Sequence, residues 1–438
     1  MKKNLLYLLL CMLILAFNSC SDDSDDGQKT YTITVQLVYP NDVTTKEGVE
    51  VNLFSTTSNS SYKVETNASG KAVFTAIAGV YEVSATDKRY VNGRVPIYNG
   101  LKSNILITEQ TTAETLVQLD LIESTTSQII IKELYVGGCQ KDDGSGVFAR
   151  DQYVILYNNS DAPASLDNIC LGMVLPYNAN ASNADYVNGV LSYEAEGWIP
   201  AGTGIWYFTN SVSLDPGKQI VIALTNAVDN AALYSQSINF SNSEYYCTYD
   251  ISSYPNTTYY PTPSTAIPAS HYLKAYHYGT GNAWPLSQVS PAFFIFSPED
   301  TTLESFVKDA SKTSYYNNLT SQVRKKVPVK WVIDGIDVFK KDATNNNKRL
   351  TTNIDAGFVN LTNQQGYTLY RNVDKEATLA IEGNESKLVY SYSLGIDTTD
   401  PSGIDAEASI KKGAQIIYKD TNNSTNDFHQ RSRASLRN

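Results

Sequence analysis

Side chains that commonly carry catalysis are scarce in this chain. It has only three histidines, His271, His277 and His429, whereas a hydrolytic triad needs a positioned base. The G-x-S-x-G elbow, the H-E-x-x-H helix and the G-x-x-x-x-G-K-[ST] loop do not occur in the sequence. Paired carboxylates leave no sequence signature, and glycoside hydrolysis needs only two suitably spaced acids. We therefore expect a non-catalytic protein, with a carboxylate-based glycan hydrolase as the alternative.

Two segments contain residue types that bind metals. His271 and His277 both lie in HYLKAYH. In a strand they would be ~20 Å apart, so only a bent loop would bring them together around zinc, copper or iron. The loop KDDGSG offers Asp142 and Asp143 to calcium, but it lacks the alternating acids and distant Glu of an EF-type loop. We expect surface histidines and a solvated turn, and we predict neither a metal nor a cofactor.

Three cysteines remain once Cys11 and Cys20 of the N-terminal segment are set aside. Cys139, Cys170 and Cys247 are separated by 31 and 77 residues, spacings that match no zinc pattern. An odd number allows at most one disulfide and leaves one thiol over. We expect all three to act as buried, small apolar groups.

The clearest signal for binding is an aromatic stretch at residues 245–284. Tyr and Trp combine an apolar ring with a polar group, and they are common in interfaces and ligand sites. Loops of this kind could stack on a sugar ring, a planar ligand or a receptor loop. Alternatively, the rings pack the stretch against the rest of the domain, and both roles can hold for different tyrosines. The candidate contact residues are Tyr259, Tyr260, Tyr272, Tyr276, Tyr278 and Trp284.

The N-terminus has the features of an export signal. Lys2 and Lys3 precede an apolar run at residues 5–17. As a helix this run is about 20 Å long, too short for the ~30 Å core of a bilayer. This apolar run is followed by Asn-Ser-Cys, which resembles the lipobox of bacterial lipoproteins. The resemblance implies a signal peptide of residues 1–19 and an acylated Cys20; an ordinary secretory signal is the alternative.

A short acidic tether, residues 20–30, follows the cysteine. Its sequence SDDSDDGQKT is charged and small, so it cannot pack. An acidic run directly behind a lipidated cysteine resembles the surface-export signal of Bacteroidetes lipoproteins. That resemblance implies a chain anchored in the outer membrane and facing the cell exterior. A plain spacer on a periplasm-facing lipoprotein is the alternative.

The composition argues against nucleic acid as a partner. Without residues 1–19, the chain carries 32 Lys and Arg against 45 Asp and Glu, a net charge of −13. Binding to phosphates needs a basic stripe instead. The length suggests two or three domains. The 31 tyrosines and the scarcity of helical periodicity are typical of β-rich extracellular domains.

Residues 31–122 have the pattern of a small antiparallel sandwich. Apolar residues alternate with polar ones in YTITVQLVY, and turns at residues 67–70 and 78–79 separate further short strands. The order T-x-x-x-G-x-A-x-F-x-x-I-x-x-G-x-Y-x-V resembles the carboxypeptidase-regulatory-like, or prealbumin-like, Ig-like β-sandwich. The resemblance implies a domain without catalytic residues that serves as a spacer, a stalk or a binding module.

Residues 128–438 read as a second β-rich domain. The segments YVILYN, NSDAP, SLDNICLG and LDPGKQIVIA resemble the lamin-tail domain, another immunoglobulin-like sandwich. Ile155 stands where that family tends to have an acidic residue, which puts any site built on that acid in doubt. The aromatic stretch falls within a large loop-rich insertion, at about residues 241–330. The expected fold is therefore all-β: a prealbumin-like sandwich followed by a lamin-tail-like sandwich assembly.

Two local predictions concern the later part of this domain. Residues 298–310 predict a helix, because Asp300, Thr301 or Thr302 can cap it and apolar residues follow at i, i+3 and i+4. The sequence VPVKWVIDGIDVF, residues 327–339, predicts a pair of strands joined by a turn at Asp334-Gly335.

Two late segments, QGYTLYRN and KDTNNSTNDFHQR, complete a resemblance to an uncharacterised family of Bacteroidetes surface lipoproteins, DUF4876-like. Such proteins are commonly encoded with TonB-dependent outer-membrane receptors, and the resemblance implies that association but no activity. We therefore expect a surface-exposed, non-catalytic lipoprotein that acts as an uptake accessory. It would bind a carbohydrate or other nutrient ligand, or a TonB-dependent receptor. An adhesive or structural surface protein is the alternative.

Overall fold

The computed structural model of the protein describes residues 29–40, 43–89, 96–111, 114–125 and 128–437. The predicted signal peptide, the lipidation site Cys20 and most of the acidic tether therefore lie outside the described residues. Within the described ranges, no helix is both long enough and apolar enough to cross a membrane.

The first part of the chain folds into two facing sheets. In the described residues its strands are β1 (Thr30–Val38), β2 (Glu50–Ser55), β3 (Ser60–Glu65), β4 (Lys71–Ile77), β5 (Gly79–Lys88), β6 (Pro96–Ile107), β7 (Glu114–Asp120) and β8 (Ile122–Thr125). One sheet has the order β4-β1-β7, and the other has the order β3-β2-β5-β6-β8. We call this part the N-terminal sandwich.

The alternation in β1 explains how the N-terminal sandwich closes. Tyr31, Ile33, Val35 and Leu37 point to one face and are all buried, because successive side chains of a strand point to opposite faces. They pack in one core with apolar residues of the facing sheet, such as Val51. The two-residue alternation of apolar side chains that predicts this strand therefore also directs them into the core of the sandwich.

The second part of the chain, residues 128–437, contains the remaining elements, and we call it the larger domain. Its described strands are β9 (Ile129–Tyr135), β10 (Cys139–Gln140), β11 (Val147–Phe148), β12 (Tyr153–Asn158), β13 (Ala164–Ser165), β14 (Cys170–Met173), β15 (Tyr186–Val187), β16 (Val190–Leu191), β17 (Trp198–Gly202), β18 (Gly204–Tyr207), β19 (Ser213–Leu214), β20 (Gln219–Ala223), β21 (Tyr246–Thr248), β22 (Tyr272–His277), β23 (Ala292–Phe296), β24 (Thr313–Tyr315), β25 (Val323–Pro328), β26 (Val332–Lys340), β27 (Val359–Leu361), β28 (Thr368–Arg371) and β29 (Phe428–Arg431). Its described α-helices are α1 (Leu303–Lys308), α2 (Lys375–Leu379), α3 (Ala406–Lys411) and α4 (Ser424–Asp427).

In the described part of the larger domain, twelve strands form one long sheet, in the order β27-β26-β23-β14-β18-β22-β21-β20-β12-β9-β28-β29. The sheet curls until its two ends meet, because β27 lies against β28 and β29 and β26 lies against β9. Apolar side chains from strands across the sheet fill the enclosed core, from Ile131 in β9 to Phe428 in β29. One apolar face buried in this way is the usual basis of a β-sandwich or barrel. The predicted all-β fold class is confirmed.

Residues 241–330, predicted as a loop-rich insertion, supply strands to the middle of this sheet. β21 pairs in parallel with β20 and β22. β22 also pairs with β18, and β23 lies between β14 and β26. Residues 249–268 between β21 and β22 have no regular element, in agreement with their Pro and Ser content. The segment is thus part of the central sheet rather than an addition to it.

The outer face of the curled sheet is covered in separate places. α1 and the small sheet β17-β25-β24 lie over one region, where Ile205 and Phe294 are buried. The irregular segment after β20 lies over another, where Cys247 is buried. Between these two regions, Lys274 on the outer side of β22 is exposed, and Tyr276 beside it is half-buried.

The predicted helix at residues 298–310 is present as α1, although it is shorter than predicted. Thr302 caps it, because its side chain accepts a hydrogen bond from the Ser305 N–H. Phe306 is buried against Trp331, with 5.0 Å between the ring centroids. The helix prediction is confirmed, and the helix ends at Lys308 because Asp309 takes an extended conformation.

The predicted turn at Asp334-Gly335 is wrong. β26 runs without interruption from Val332 to Lys340, and both residues lie inside it. A Cβ at position 335 would lie 2.8 Å from Ile354 Cγ2, so the glycine serves a close contact between layers. The buried Asp334 carboxylate binds Arg371. Asp-Gly is typical of hairpin turns, but here tertiary contacts of both residues account for its place inside a strand.

Candidate functional site

The two histidines of HYLKAYH lie in different surroundings. His271 stacks on Tyr246, with ring centroids 3.9 Å apart and an interplanar angle of 7°. His277, at the end of β22, packs against Tyr254 with centroids 4.6 Å apart. Among the described residues, no group of three or more His, Cys, Asp or Glu side chains is arranged to hold a metal ion.

The loop KDDGSG is tied down by hydrogen bonds within the protein. Asp142 accepts from the backbone N–H and the hydroxyl of Ser235, at 2.8–3.1 Å. Asp143 accepts from the Ser145 N–H at 2.9 Å. These hydrogen bonds hold the loop as a turn in this structure.

The three cysteines of the described chain, Cys139, Cys170 and Cys247, are free thiols and are buried. Burial raises the pKa of Cys139 to about 12, with the Asp151 carboxylate adding to the effect. Burial also raises the pKa of the other two thiols. Because the thiolate is the reactive form, these residues are suited to packing, as predicted, rather than to nucleophilic chemistry.

Two of the six predicted contact residues belong to the core of the larger domain. Tyr260 is 2% exposed and Trp284 is fully buried. The Tyr260 hydroxyl accepts from the Trp284 N–H at 3.0 Å, and the Trp284 indole N–H donates to the Gly204 carbonyl at 3.1 Å. Both rings lie inside the domain, where no partner reaches them in this conformation.

Three further predicted residues are half-buried by neighbouring side chains. Tyr259 packs on the edge of the main core. Tyr272 meets Tyr249 edge to face, with centroids 5.3 Å apart. The Tyr278 hydroxyl donates to the Ala201 carbonyl at 3.1 Å, and burial raises the pKa of Tyr278 well above its ordinary value. Each of these rings is chiefly engaged within the protein.

Tyr276 is the predicted contact residue whose surroundings best fit a contact surface. Its ring stacks on Tyr207, with centroids 5.0 Å apart and an interplanar angle of 20°. The two side chains belong to paired strands, since Ile205 lies opposite Tyr276 and Tyr207 lies opposite Lys274 in the β18–β22 register. Both rings therefore stand on the outer face of the sheet, between the covered regions.

A second stacked pair, Tyr246 and His271, lies beyond the end of β18. Phe208 meets Tyr246 edge to face with centroids 5.7 Å apart, and both pack against the main core, whereas Tyr207 packs with the outer core. The second pair is therefore separate, and we call the two half-buried rings Tyr207 and Tyr276 the aromatic strip. Stacked, partly exposed rings of this kind are typical of contact surfaces.

A cleft of about 370 Å³ opens beside Tyr207. Its floor is formed by β14 and β18, and its far wall is the chain segment that leads into α1. We call it the cleft, and its lining residues are Asp167, Asn168, Cys170, Tyr207, Phe208, Pro298, Glu299, Thr301, Thr302 and Leu303. No Lys, Arg or His is among these residues, which all belong to the described chain.

The charge state of Asp167 decides what this cleft can do chemically. Its carboxylate accepts from the Ser211 hydroxyl at 2.8 Å and from the Val212 N–H at 3.0 Å. These hydrogen bonds lower the pKa of Asp167, so it is ionised at neutral pH. A general acid needs the opposite shift, so Asp167 is not suited to that role.

Carboxylates with raised pKa values lie inside the protein instead. Burial raises the pKa of Asp151 to about 6 and that of Asp420 to about 7. Asp151 accepts from the Ser237 hydroxyl at 2.6 Å, and Asp420 faces Arg371 at 3.2 Å. Both are buried, so their shifts reflect structural burial rather than an open catalytic site.

Sequence reasoning missed Tyr207 and the cleft acids Asp167 and Glu299. A weak signal for Tyr207 was present, since Ile205 and Tyr207 alternate with Trp206 in GIWYF. Nothing in the sequence indicates that the turn before β14 and the segment before α1 lie side by side, more than 120 residues apart. That proximity depends on the pairing of β14 with β18 and β23.

The larger domain matches a described protein family. The family described as "Protein of unknown function (DUF4876)" matches residues 215–435, just over half of the chain. No curated protein matches the sequence.

The structure is similar to that of a DUF4876 family protein from Bacteroides thetaiotaomicron VPI-5482, with 20% identity and a TM-score of 0.52. The match covers 91% of this chain and 94% of that chain, and at this identity it shows the fold alone. The major pilin subunit BcpA of Bacillus cereus also matches, with 11% identity, coverage of 74% and 98%, and a TM-score of 0.15. Such a low score carries no argument. The chain belongs to the DUF4876 family.

Proposed function

We propose that the chain is a non-catalytic binding protein of the outer-membrane surface, anchored by a lipid on Cys20, which acts as an accessory of nutrient uptake. It captures a ligand and presents it to a TonB-dependent receptor, with the aromatic strip and the cleft as the contact surface. The lipid keeps the local concentration of this surface high at the membrane, so that moderate affinity for each partner is sufficient.

One observation carries the proposal: the stacked pair Tyr207 and Tyr276 stands on the outer face of the sheet beside the cleft. Other members of the aromatic stretch, such as Tyr260 and Trp284, are buried in the core. Packing does not require a stacked pair on the outer face, whereas a concave surface with aromatic and polar lining is typical of ligand sites.

Three features support the remaining parts of the proposal. The lipobox-like segment and SDDSDDG support a lipid anchor and an outward orientation. The lowered pKa of Asp167 argues against this residue as a general acid and so supports binding in the cleft. The likeness to Bacteroidetes surface lipoproteins supports the receptor as a partner.

A pull-down from outer membranes tests the proposal. The lipid-anchored protein would be purified in detergent beside a Tyr207→Ser/Tyr276→Ser variant. A matched control, Tyr315→Ser/Tyr390→Ser, changes two tyrosines that are 46% and 53% exposed elsewhere. We expect a stoichiometric β-barrel receptor with the wild type and the control, and its loss with the Tyr207/Tyr276 variant.

Other outcomes would correct the proposal in a defined way. Capture by all three proteins would keep the uptake role but reject the aromatic strip as the receptor contact. Absence of any receptor, with the protein still accessible on intact cells, would reject the uptake role and favour adhesion. If the Cys20→Ser variant stayed bound to membranes as firmly as the wild type, the lipid anchor would be rejected.

A further inference from the structure

The lining of the cleft is rich in hydrogen-bond acceptors. Asp167 and Glu299 contribute carboxylates, Asn168 an amide, and Thr301 and Thr302 hydroxyl groups. Asp167, Asn168, Glu299, Thr301 and Thr302 are all exposed, so their polar groups are within reach of a ligand. An anionic ligand would meet two carboxylates and no cation of the lining, which excludes phosphate-bearing and acidic ligands on charge.

The floor of the cleft supplies an oriented aromatic ring. Tyr207 lines the cleft, and Tyr276 stacks behind it at 5.0 Å. The stack fixes the Tyr207 ring before any ligand arrives, so little side-chain entropy is lost on binding. Its neighbour in the floor, Cys170, is buried in the outer core. The floor therefore offers a flat apolar surface beneath a ring of polar acceptors.

This combination matches one ligand chemistry. We propose that the cleft binds a neutral carbohydrate, whose apolar C–H face stacks on Tyr207 while its hydroxyl groups donate to Asp167 and Glu299. The inference rests on the proposed function, because it names the ligand class of the same surface. A volume of about 370 Å³ lies near the lower end of the ~300–1,000 Å³ of ligand sites, which suits a few sugar residues rather than a long chain.

An organic cation would also favour an aromatic ring and carboxylates. Lys274 lies directly opposite Tyr207 in the β18–β22 register, and Lys308 belongs to α1, the helix whose first residue, Leu303, lines the cleft. Each of these ammonium groups is paired with a carboxylate, Lys274 with Asp250 at 3.7 Å and Lys308 with Glu304. The preference for a neutral sugar is therefore tested directly against a cationic probe.

Calorimetric titration of the full lipidated chain, in a detergent without a sugar head group, tests the inference. The probes are neutral oligosaccharides (maltotriose, cellotriose and mannotriose), with spermidine as a cation and a galacturonate trimer as an acid. We expect binding of at least one neutral trimer and no heat from the other two probes. Tyr207→Ala should weaken that binding about tenfold or more, because a central aromatic contact is lost.

Two further variants separate stacking from folding. Tyr207→Phe keeps the ring and should bind within about threefold of the wild type, whereas Glu299→Gln should weaken binding by several fold, because it replaces a charged acceptor with a neutral one. Preferential binding of spermidine, or equal binding by Tyr207→Ala and wild type, would overturn the carbohydrate assignment. Failure of all neutral trimers, with receptor capture intact, would overturn this inference and leave the proposed function standing.

Discussion

Arg371 lies at the centre of a buried ionic cluster in the larger domain. Its guanidinium binds Asp334 and lies 3.2 Å from Asp420 and 3.7 Å from Asp427. A similar pair joins Arg349 and Asp337 at 2.6 Å. Burying a charge is costly unless it is paired, so each acid of these pairs is placed against a cation. The raised pKa of Asp420 is thus explained by its burial in this cluster rather than by catalysis.

His429 gives a pH prediction at the same scale. Burial, with a contribution from Arg431, lowers its pKa to about 3, against about 6.5 in an unfolded chain. Between these values the unfolded chain binds a proton that the folded chain does not, so stability falls as the pH is lowered. The loss from this group reaches ~1.4 kcal/mol per pH unit.

A comparison of wild type with His429→Gln isolates this effect. Gln can replace the bonds of His429 to the Asn372 amide oxygen and the Tyr392 hydroxyl, but it does not titrate. The free energy of unfolding in urea, measured from about pH 7 to about pH 4, should fall less steeply in the variant. The other titrating groups act in both proteins and cancel in the difference. Parallel profiles would show that the folded protein protonates His429 as readily as the unfolded chain does.

At the scale of elements, the sequence predicts strands well where one face is buried and the pattern is local. β1 is such a case, since its alternation is visible in YTITVQLVY. Residues 245–284 are the opposite case, because β21 has only three residues and depends on pairing with β20 and β22. Local sequence does not encode those partners. For the same reason, the sequence predicts only one residue of the aromatic strip. Tyr276 falls in the aromatic stretch, but its partner Tyr207 is 69 residues earlier.

Gly335 in β26 leads to a prediction about such long-range contacts. A Cβ at this position would meet Ile354 Cγ2 at 2.8 Å and Leu350 Cδ1 at 2.9 Å. Gly335→Ala should therefore destabilise the protein by about 1–3 kcal/mol through overpacking. The measurement is the midpoint of urea unfolding, followed by tryptophan fluorescence.

Gly79→Ala, at the start of β5, is the matched control. Its added Cβ would find its nearest neighbour, the Thr57 hydroxyl, at 3.4 Å, and alanine loses less backbone entropy than glycine on folding. The control should change stability by less than about 1 kcal/mol. If Gly335→Ala were as stable as the control, the two layers would be free to separate here, and a local packing account of this glycine would be wrong.

At the scale of the whole molecule, the N-terminal sandwich and the larger domain have separate cores but share a polar junction. Asn99 on β6 donates to the Thr421 carbonyl, and Asn426 in α4 donates to the Thr86 hydroxyl at 3.1 Å. An ion pair, Lys88 to Asp374 at 3.6 Å, lies beside them. Asn99 is almost fully buried, and together these contacts hold the sandwich against the larger domain.

This junction predicts how the two parts unfold. All four tryptophans belong to the larger domain, at positions 198, 206, 284 and 331, so fluorescence reports that part, whereas far-UV circular dichroism reports both. In the wild type we expect the two urea transitions to coincide. Asn99→Ala/Asn426→Ala removes a donor from each side and breaks two part-buried hydrogen bonds, at ~0.5–1.5 kcal/mol each. The two transitions should then separate.

The exposed bond between Ser61 and Asn52 in the N-terminal sandwich provides the control for this experiment. Ser61→Ala lies within one part and outside the junction, so its two transitions should stay coincident, because an exposed hydroxyl contributes little to stability. Coincident transitions in the junction variant as well would mean that apolar packing, rather than these hydrogen bonds, couples the two parts. A junction that opens when two donors are removed would instead show that these hydrogen bonds hold the N-terminal sandwich against the larger domain.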